Sequence, residues 1–156
     1  MNLLKRHFGV AHPILVCTYT NVAVDNLVEG FAAAGAKPVR VAFGGQVKSS
    51  LHEHTLDYKT DRHPLKPSLD KLTEEEKALR IEIHELEKKI GATAKKVRLA
   101  KKGSALEVRL GRMRIALNVK ERMFYVVRAK AFGMRQTILR EILGEADVVS
   151  KFVRSF

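Results

Sequence analysis

Thr18, Thr20 and Asn21 place two hydroxyl groups and an amide within four residues, directly after a short apolar run. The run is Ile14-Leu15-Val16-Cys17, and apolar residues at helical spacing begin at Val22. We therefore expect a strand, then a polar turn of helix-capping residue types, then a helix. Open α/β sheets bind ligands at the carboxyl ends of their strands, and the free N–H groups of a helix start favour a phosphate there.

A second group of residues is strongly basic. The chain has 29 Lys or Arg against 17 Asp or Glu, a net charge of +12. Between Lys95 and Arg140, fourteen basic residues stand against two Glu, so this stretch carries an excess equal to that of the whole chain. Ion pairs within a helix cannot neutralise such an imbalance. The excess therefore favours a surface that binds a polyanion, most simply nucleic acid. Membrane-surface and ribosomal proteins share such charge, so charge alone does not identify the partner.

Three apolar strands are predicted around the polar turn. The run Ile14 to Cys17 is expected to be buried on both faces, because every position is apolar. In the helix that follows, Asp25, with Asn26 and Glu29, is expected to point outward from the first turns. Pro38 to Phe43 and Ala146 to Val149 are the other strands, and the polar segment from Gln46 to Ser68 is expected to be irregular.

Two long helices are predicted between the second and third strands. From Ser68 to about Lys102 apolar residues recur at heptad spacing, and Thr73 with Glu76 reads as a capping box. A second heptad seam follows the Gly103-Ser104 break. We predict an antiparallel coiled-coil hairpin in which each seam packs against the other. Aromatic residues are few in it, so sequence-independent contact with the nucleic-acid backbone is expected.

Cysteine usage excludes one class of protein, and histidine spacing argues against another. Cys17 is the only cysteine, so a disulfide framework is excluded, and we expect a small core residue in an intracellular protein of the nucleus or cytoplasm. His52, His54 and a nearby carboxylate could suggest a metal or acid–base site, but the spacing is not that of a metal site, and solvated loop histidines are expected. No apolar run approaches the ~20 residues that span a membrane, so no membrane partner is expected.

The residues Thr20 to Leu27, TNVAVDNL, resemble motif Ia of superfamily 1 helicases, in the subgroup of the nonsense-mediated-decay helicase and senataxin. That motif is typically Ser-Asn-x-Ala-Val-Asp-x-Leu after an apolar strand. The stretch Arg40 to Asp57 resembles the segment after motif Ia, and Glu145 to Val149 resembles the strand by which the family's helical stalk returns to the sheet. After Val149 the sequence departs from the family's pattern.

The resemblance implies an α/β fold, a partial RecA-like parallel sheet of the P-loop NTPase type with a long antiparallel helical-hairpin insertion. Its boundaries would be 1–67 for the partial RecA-like domain, 68–143 for the hairpin, or stalk, and 144–156 for the return strand and a divergent tail. The resemblance also implies that Met1 lies inside a longer domain, after the helix of the phosphate-binding Walker A loop.

The function implied is that of a fragment of an ATP-dependent helicase acting on single-stranded RNA or DNA. ATP and Mg²⁺ are expected for the full-length parent; none is expected in this chain, which has no phosphate loop, no acidic pair and no catalytic residue. The partners implied are the single strand and the rest of the helicase domain. The resemblance (for the turn) and the charge (for the helices) predict these nucleic-acid-binding residues: Thr18, Thr20, Asn21, Val22, Lys95, Lys96, Arg98, Lys101, Lys102, Arg109, Arg112 and Arg114.

A non-catalytic, basic coiled-coil adaptor that binds nucleic acid or a partner helix is the alternative. It explains the charge and the heptads equally well, but not Thr20 to Leu27 or the return to a strand. Substitution of Thr20 and Asn21 distinguishes the two hypotheses, because the adaptor would depend only on the basic residues of the second helix.

Overall fold

The computed structural model describes residues 9–10, 13–41, 47–99 and 104–152. The chain divides into two compact units: residues 1–66 with 136–156, here called the sheet unit, and residues 67–135, the helical unit. Several predictions lie outside the described residues: the last residues of the second strand, Lys101, Lys102 and Gly103.

Eight elements follow one another along the chain. They are β1 (Ile14–Thr18), α1 (Asn21–Ala33), β2 (Pro38–Val41), a 3-10 helix (Ser49–His54), α2 (Leu56–Asp61), α3 (Lys66–Arg98), α4 (Ala105–Glu145) and β3 (Val148–Phe152). The sequence predicted an irregular segment after β2, and that prediction is wrong for the residues that form the 3-10 helix and α2. Thr55 starts α2, because its Oγ1 atom accepts a hydrogen bond of 3.2 Å from the backbone N–H of Tyr58.

The three strands form a parallel sheet in the order β1-β3-β2. Ile14 and Pro38 both pair with Val148, so β3 occupies the centre. Asp147 ties the amino ends of the strands together. Its carboxylate accepts from the backbone N–H of Lys37 at 3.0 Å, its own N–H donates to the Lys37 carbonyl at 2.9 Å, and its carbonyl accepts from Ile14 at 3.0 Å. These bonds fix the register, which in turn aligns the carboxyl ends of all three strands.

The helix α1 packs its apolar face inside the sheet unit. Val24 and Val28 are almost completely buried and pack with Leu51 of the 3-10 helix. Its end follows from Gly35, which has a φ of +74° that favours glycine. The N–H of Ala36 donates to the Phe31 carbonyl at 3.0 Å, the bond typical of a glycine-terminated helix.

The strand β1 is not buried on both faces, as its apolar sequence predicted. Leu15 is 62% exposed and Cys17 is exposed, whereas Ile14 and Val16 are half-buried. An alternation of this kind shows one covered face and one open face. The prediction failed because an apolar run indicates only which side chains can be buried, whereas burial also requires a layer of the protein that covers them. Cys17 is exposed, so the prediction that it is a core residue is wrong.

In the helical unit, α3 and α4 make contacts that run in opposite order along the two helices. Arg135 Nη2 donates to Thr73 Oγ1 at 3.3 Å, and Lys120 Nζ lies 2.7 Å from Glu82 Oε2. The Thr93 hydroxyl lies 3.9 Å from the Met113 sulfur. This is the order of antiparallel neighbours. The heptad positions of both helices in this unit are buried or half-buried: Leu72, Leu79, Ile83, Leu86, Ile90, Val97, Leu106, Leu110, Met113, Leu117, Lys120, Phe124, Val127, Ala131 and Met134.

The predicted capping box is wrong. The helix α3 begins at Lys66, seven residues before Thr73, and its first turn holds no acidic residue. The Thr73 hydroxyl instead donates to the Leu69 carbonyl at 2.9 Å, inside the helix. Pro67 explains the earlier start, because proline fits the first turn of a helix, where its missing N–H is not needed.

Candidate nucleic-acid interface

The turn between β1 and α1 is held by two hydroxyl groups. Thr20 is the extended residue before the helix (φ −136°, ψ 146°), and its Oγ1 atom accepts a hydrogen bond of 3.1 Å from the backbone N–H of Ala23. Thr18 Oγ1 donates to the Thr20 carbonyl at 3.0 Å. The predicted cap is therefore present at Thr20. Both bonds fix the path of the chain at the carboxyl end of β1.

A buried ion pair lies beneath this turn. Arg40 Nε is 2.6 Å from Asp25 Oδ1, and the two side chains are 1% and 6% exposed. The prediction that Asp25 points outward in the first turn is wrong, because α1 starts at Asn21 and Asp25 faces Arg40 from the second turn. Burial of a carboxylate requires such a partner, and a guanidinium in the neighbouring strand supplies it.

Arg40 also reaches the first residue of α1. Its Nη2 atom lies 3.5 Å from Asn21 Oδ1, at the limit of a hydrogen bond. This contact engages the amide oxygen of Asn21, and the NH₂ group of an asparagine can donate to a further acceptor. Arg40 was not among the predicted site residues. A lone arginine in an apolar strand, after a helix that carries a carboxylate, is the sequence signal that could have identified it.

The outer side of the turn is accessible. Tyr19 is 77% exposed, Val22 is 64% exposed and Thr20 is exposed. Within the described ranges, the backbone N–H groups of Asn21 and Val22 donate to no protein acceptor. Two N–H groups at a helix start, with the positive end of the helix dipole behind them, suit a phosphate oxygen. The structure thus brings together the four predicted turn residues, Thr18, Thr20, Asn21 and Val22.

The predicted basic residues lie in the helical unit. All six of those described are exposed: Lys95, Lys96 and Arg98 in the last turns of α3, and Arg109, Arg112 and Arg114 in the first turns of α4. The contact between Thr93 and Met113 brings these ends of the two helices to the same level. The six cations therefore lie near the same end of the helical unit. Lys101 and Lys102 lie outside the described residues.

The loop histidines take part in local contacts. His63 Nε2 is 2.9 Å from Glu141 Oε2, and the ring of His52 packs edge-on against Tyr58 at 5.1 Å between centroids. Among the described residues, no group of three or more His, Cys, Asp or Glu side chains could hold a metal ion. The helices of the described ranges include none that is long and apolar enough to cross a membrane.

A cleft of about 680 Å³ lies in the sheet unit at the amino ends of β2 and β3, away from the turn after β1. Lys37, Lys59 and Arg62 contribute positive charge to its lining, and Glu53, Glu141 and Glu145 contribute negative charge. Arg62 already stacks on the Tyr58 ring at 4.5 Å. Because the fixed charges balance, this cleft offers no preference for an anion.

A family model described as an AAA domain matches residues 3–150, almost the whole chain. The match includes β1, the turn after it, β2 and the first three residues of β3. No curated protein is significantly similar to the chain.

Proposed function

The chain belongs to the AAA domain family, a family of superfamily 1 helicase-like ATPases, and on that premise we propose that it supplies backbone contacts to single-stranded RNA or DNA in an ATP-dependent helicase. We place it in the subgroup of the nonsense-mediated-decay helicase and senataxin. In this proposal the sheet unit is part of a RecA-like domain, and the helical unit is its hairpin insertion.

The observation that carries the proposal is the geometry of the turn. Thr20 and Asn21 present polar groups at the carboxyl end of β1. Beside them lie the first N–H groups of α1, which have no acceptor among the residues that the structure describes. The buried pair of Arg40 and Asp25 supports Asn21 from below. A rigid, polar turn of this kind suits a phosphate group, which carries no sequence information.

The charge of the helical unit supports the same proposal. Its six exposed cations at the ends of α3 and α4 would attract a polyanion and release counterions when they neutralise its phosphates. The residues of the chain do not fit ATP and Mg²⁺. The sequence has no Gly-Lys-Ser/Thr phosphate loop and no Asp-Glu pair, and the described residues include no carboxylate cluster for a metal ion. We therefore assign hydrolysis to other parts of a full-length helicase.

The experiment is a titration of fluorescein-labelled U20 and dT20 with the 156-residue protein, read by fluorescence anisotropy. Two double variants are compared with wild type: Thr20→Val with Asn21→Ala, and Lys95→Ala with Lys96→Ala. Lys71→Ala with Lys88→Ala is the matched control, because it removes two exposed lysines of α3 from a stretch rich in glutamate. The proposal predicts weaker binding in both test variants and near wild-type binding in the control.

The alternative, a non-catalytic basic adaptor, gives a different pattern. In that case the Thr20 and Asn21 variant would bind as wild type does, and affinity would depend on the basic residues of the second helix, so that Arg109→Ala with Arg114→Ala would weaken binding. If both test variants bind with the affinity of wild type, neither surface contacts the single strand, and the proposed function is wrong.

A further inference from the structure

The side of α4 that faces away from its heptad seam carries a row of exposed apolar side chains. Val108 is 58% exposed, Ile115 67%, Val119 51% and Val126 53%. Their separations of seven, four and seven residues keep them on one face of the helix. Isolated exposed apolar residues are normal on a surface, but an aligned row that extends ~27 Å along a helix is typical of an interaction site.

Two arginines complete the pattern of this row. With Arg112 and Arg122 included, the separations alternate between four and three, as in a heptad: Val108, Arg112, Ile115, Val119, Arg122 and Val126. We call these six residues the outer row. Both arginines are exposed, and in the described part of the chain neither has a carboxylate within ion-pair distance. Lys130 continues the positive charge beyond Val126, and no acidic residue falls within the row.

We propose that the outer row binds an acidic amphipathic helix of another protein, packed along α4 as in a coiled coil. Val and Ile are favoured at core positions of coiled coils. An arginine at such a position is stabilised only when the partner helix brings a carboxylate to it. The partner must therefore combine apolar heptad positions with glutamate or aspartate opposite Arg112 and Arg122.

A second copy of this chain does not meet these requirements. Two outer rows would bring arginines into one unneutralised interface. On α3 of a second copy, Ile81 is the one exposed large apolar side chain in the described ranges, so that helix offers no complementary row. A lipid surface is also a poorer match, because helices that lie on membranes use Trp, Phe and Leu on a broad apolar face. A single strand that contacts Arg112, as proposed above, would leave Ile115 and Val119 uncovered, so it does not account for the apolar part of the row.

The probe is a designed 25-residue helix with Ile and Leu at the facing heptad positions and Glu opposite Arg112 and Arg122. Its binding to the 156-residue protein is measured by fluorescence anisotropy. We expect Ile115→Gln with Val119→Gln to weaken binding about tenfold or more, because both lie in the middle of the row. Phe132→Gln is the matched control, since Phe132 is 61% exposed on another face of α4. Circular dichroism checks that each variant keeps its helix content.

A charge exchange tests the role of the arginines. The double variant Arg112→Glu with Arg122→Glu should no longer bind the acidic peptide. It should instead bind a peptide in which Lys replaces the two Glu residues. The proposal is wrong if the double Gln variant binds the acidic peptide as wild type does. It is also wrong if the row instead forms a dimer that depends on Ile115 and Val119, or captures anionic phospholipid vesicles in place of the peptide. Loss of U20 binding in the double Gln variant would likewise contradict it.

Discussion

The Nε atom of Arg40 lies 2.6 Å from the Oδ1 atom of Asp25, and both side chains are almost completely withdrawn from solvent. The pair joins the second strand of the sheet to the helix that starts at the polar turn. Because Arg40 also approaches Asn21, the pair links the interior of the sheet unit to the surface proposed to contact the single strand. Its loss should therefore affect both stability and binding.

Asp25→Ala should destabilise the sheet unit by about 3–5 kcal/mol, since it leaves a buried guanidinium without its carboxylate. The double variant Asp25→Leu with Arg40→Met should recover much of that loss, because it removes both charges and retains apolar volume. Hydrogen exchange of the amides in α1 and β2, followed by mass spectrometry, measures the change in the free energy of opening. Equal destabilisation in the single and double variants would show that the ion pair is not what the first substitution disrupts.

Thr20→Val should destabilise α1 by about 1 kcal/mol, because valine keeps the shape of the side chain but cannot accept the bond from Ala23. Thr20→Ser keeps the acceptor and should behave as wild type does. Amide exchange at the first turns of α1 is the measurement. If the amides of the valine variant are as well protected from exchange as those of the serine variant, helix capping is not the structural role of Thr20.

Binding of a single strand should weaken steeply with salt. Each phosphate that is neutralised contributes about −0.7 to the slope of log K against log salt concentration, so six contacts would give a slope of about −4. Lys95→Ala with Lys96→Ala should make the slope shallower by roughly 1.4, whereas the Lys71 and Lys88 control should leave it unchanged. Anisotropy titrations between low and physiological salt provide the slopes. If the affinity for the single strand does not vary with salt concentration, the cationic end of the helical unit is not part of the interface.

The purified 156-residue protein should not hydrolyse ATP, with or without a single strand. The reason is chemical: its sequence holds neither a Gly-Lys-Ser/Thr loop for the phosphates nor an Asp-Glu pair for Mg²⁺ and water. Phosphate release is the assay. Turnover stimulated by U20, retained through successive purification steps, would contradict the assignment of hydrolysis to other parts of a helicase.

The sequence predicted the strand, turn and helix around Thr20 because each has a strong local signal: an apolar run, a capping residue and helical periodicity. It could not predict the burial of Asp25, since aspartate is usually exposed and its partner is fifteen residues away in another element. The open face at Leu15 was missed for a related reason, because side-chain type does not reveal whether a covering layer exists. The capping-box pattern at Thr73 predicted the wrong start for α3, because Pro67 in the first turn favours an earlier start.

The most direct test of the central claim is photocrosslinking of a single strand that carries 5-iodouracil, with the crosslinked peptide identified by mass spectrometry. Tyr19, 77% exposed in the turn, is a suitable target, and Tyr125, 66% exposed on α4, is an internal comparison on the same chain. The proposed function predicts a crosslink in the peptide that contains Tyr19, lost when Thr20→Val and Asn21→Ala are combined. Crosslinks confined to Tyr125, with none at Tyr19, would contradict it.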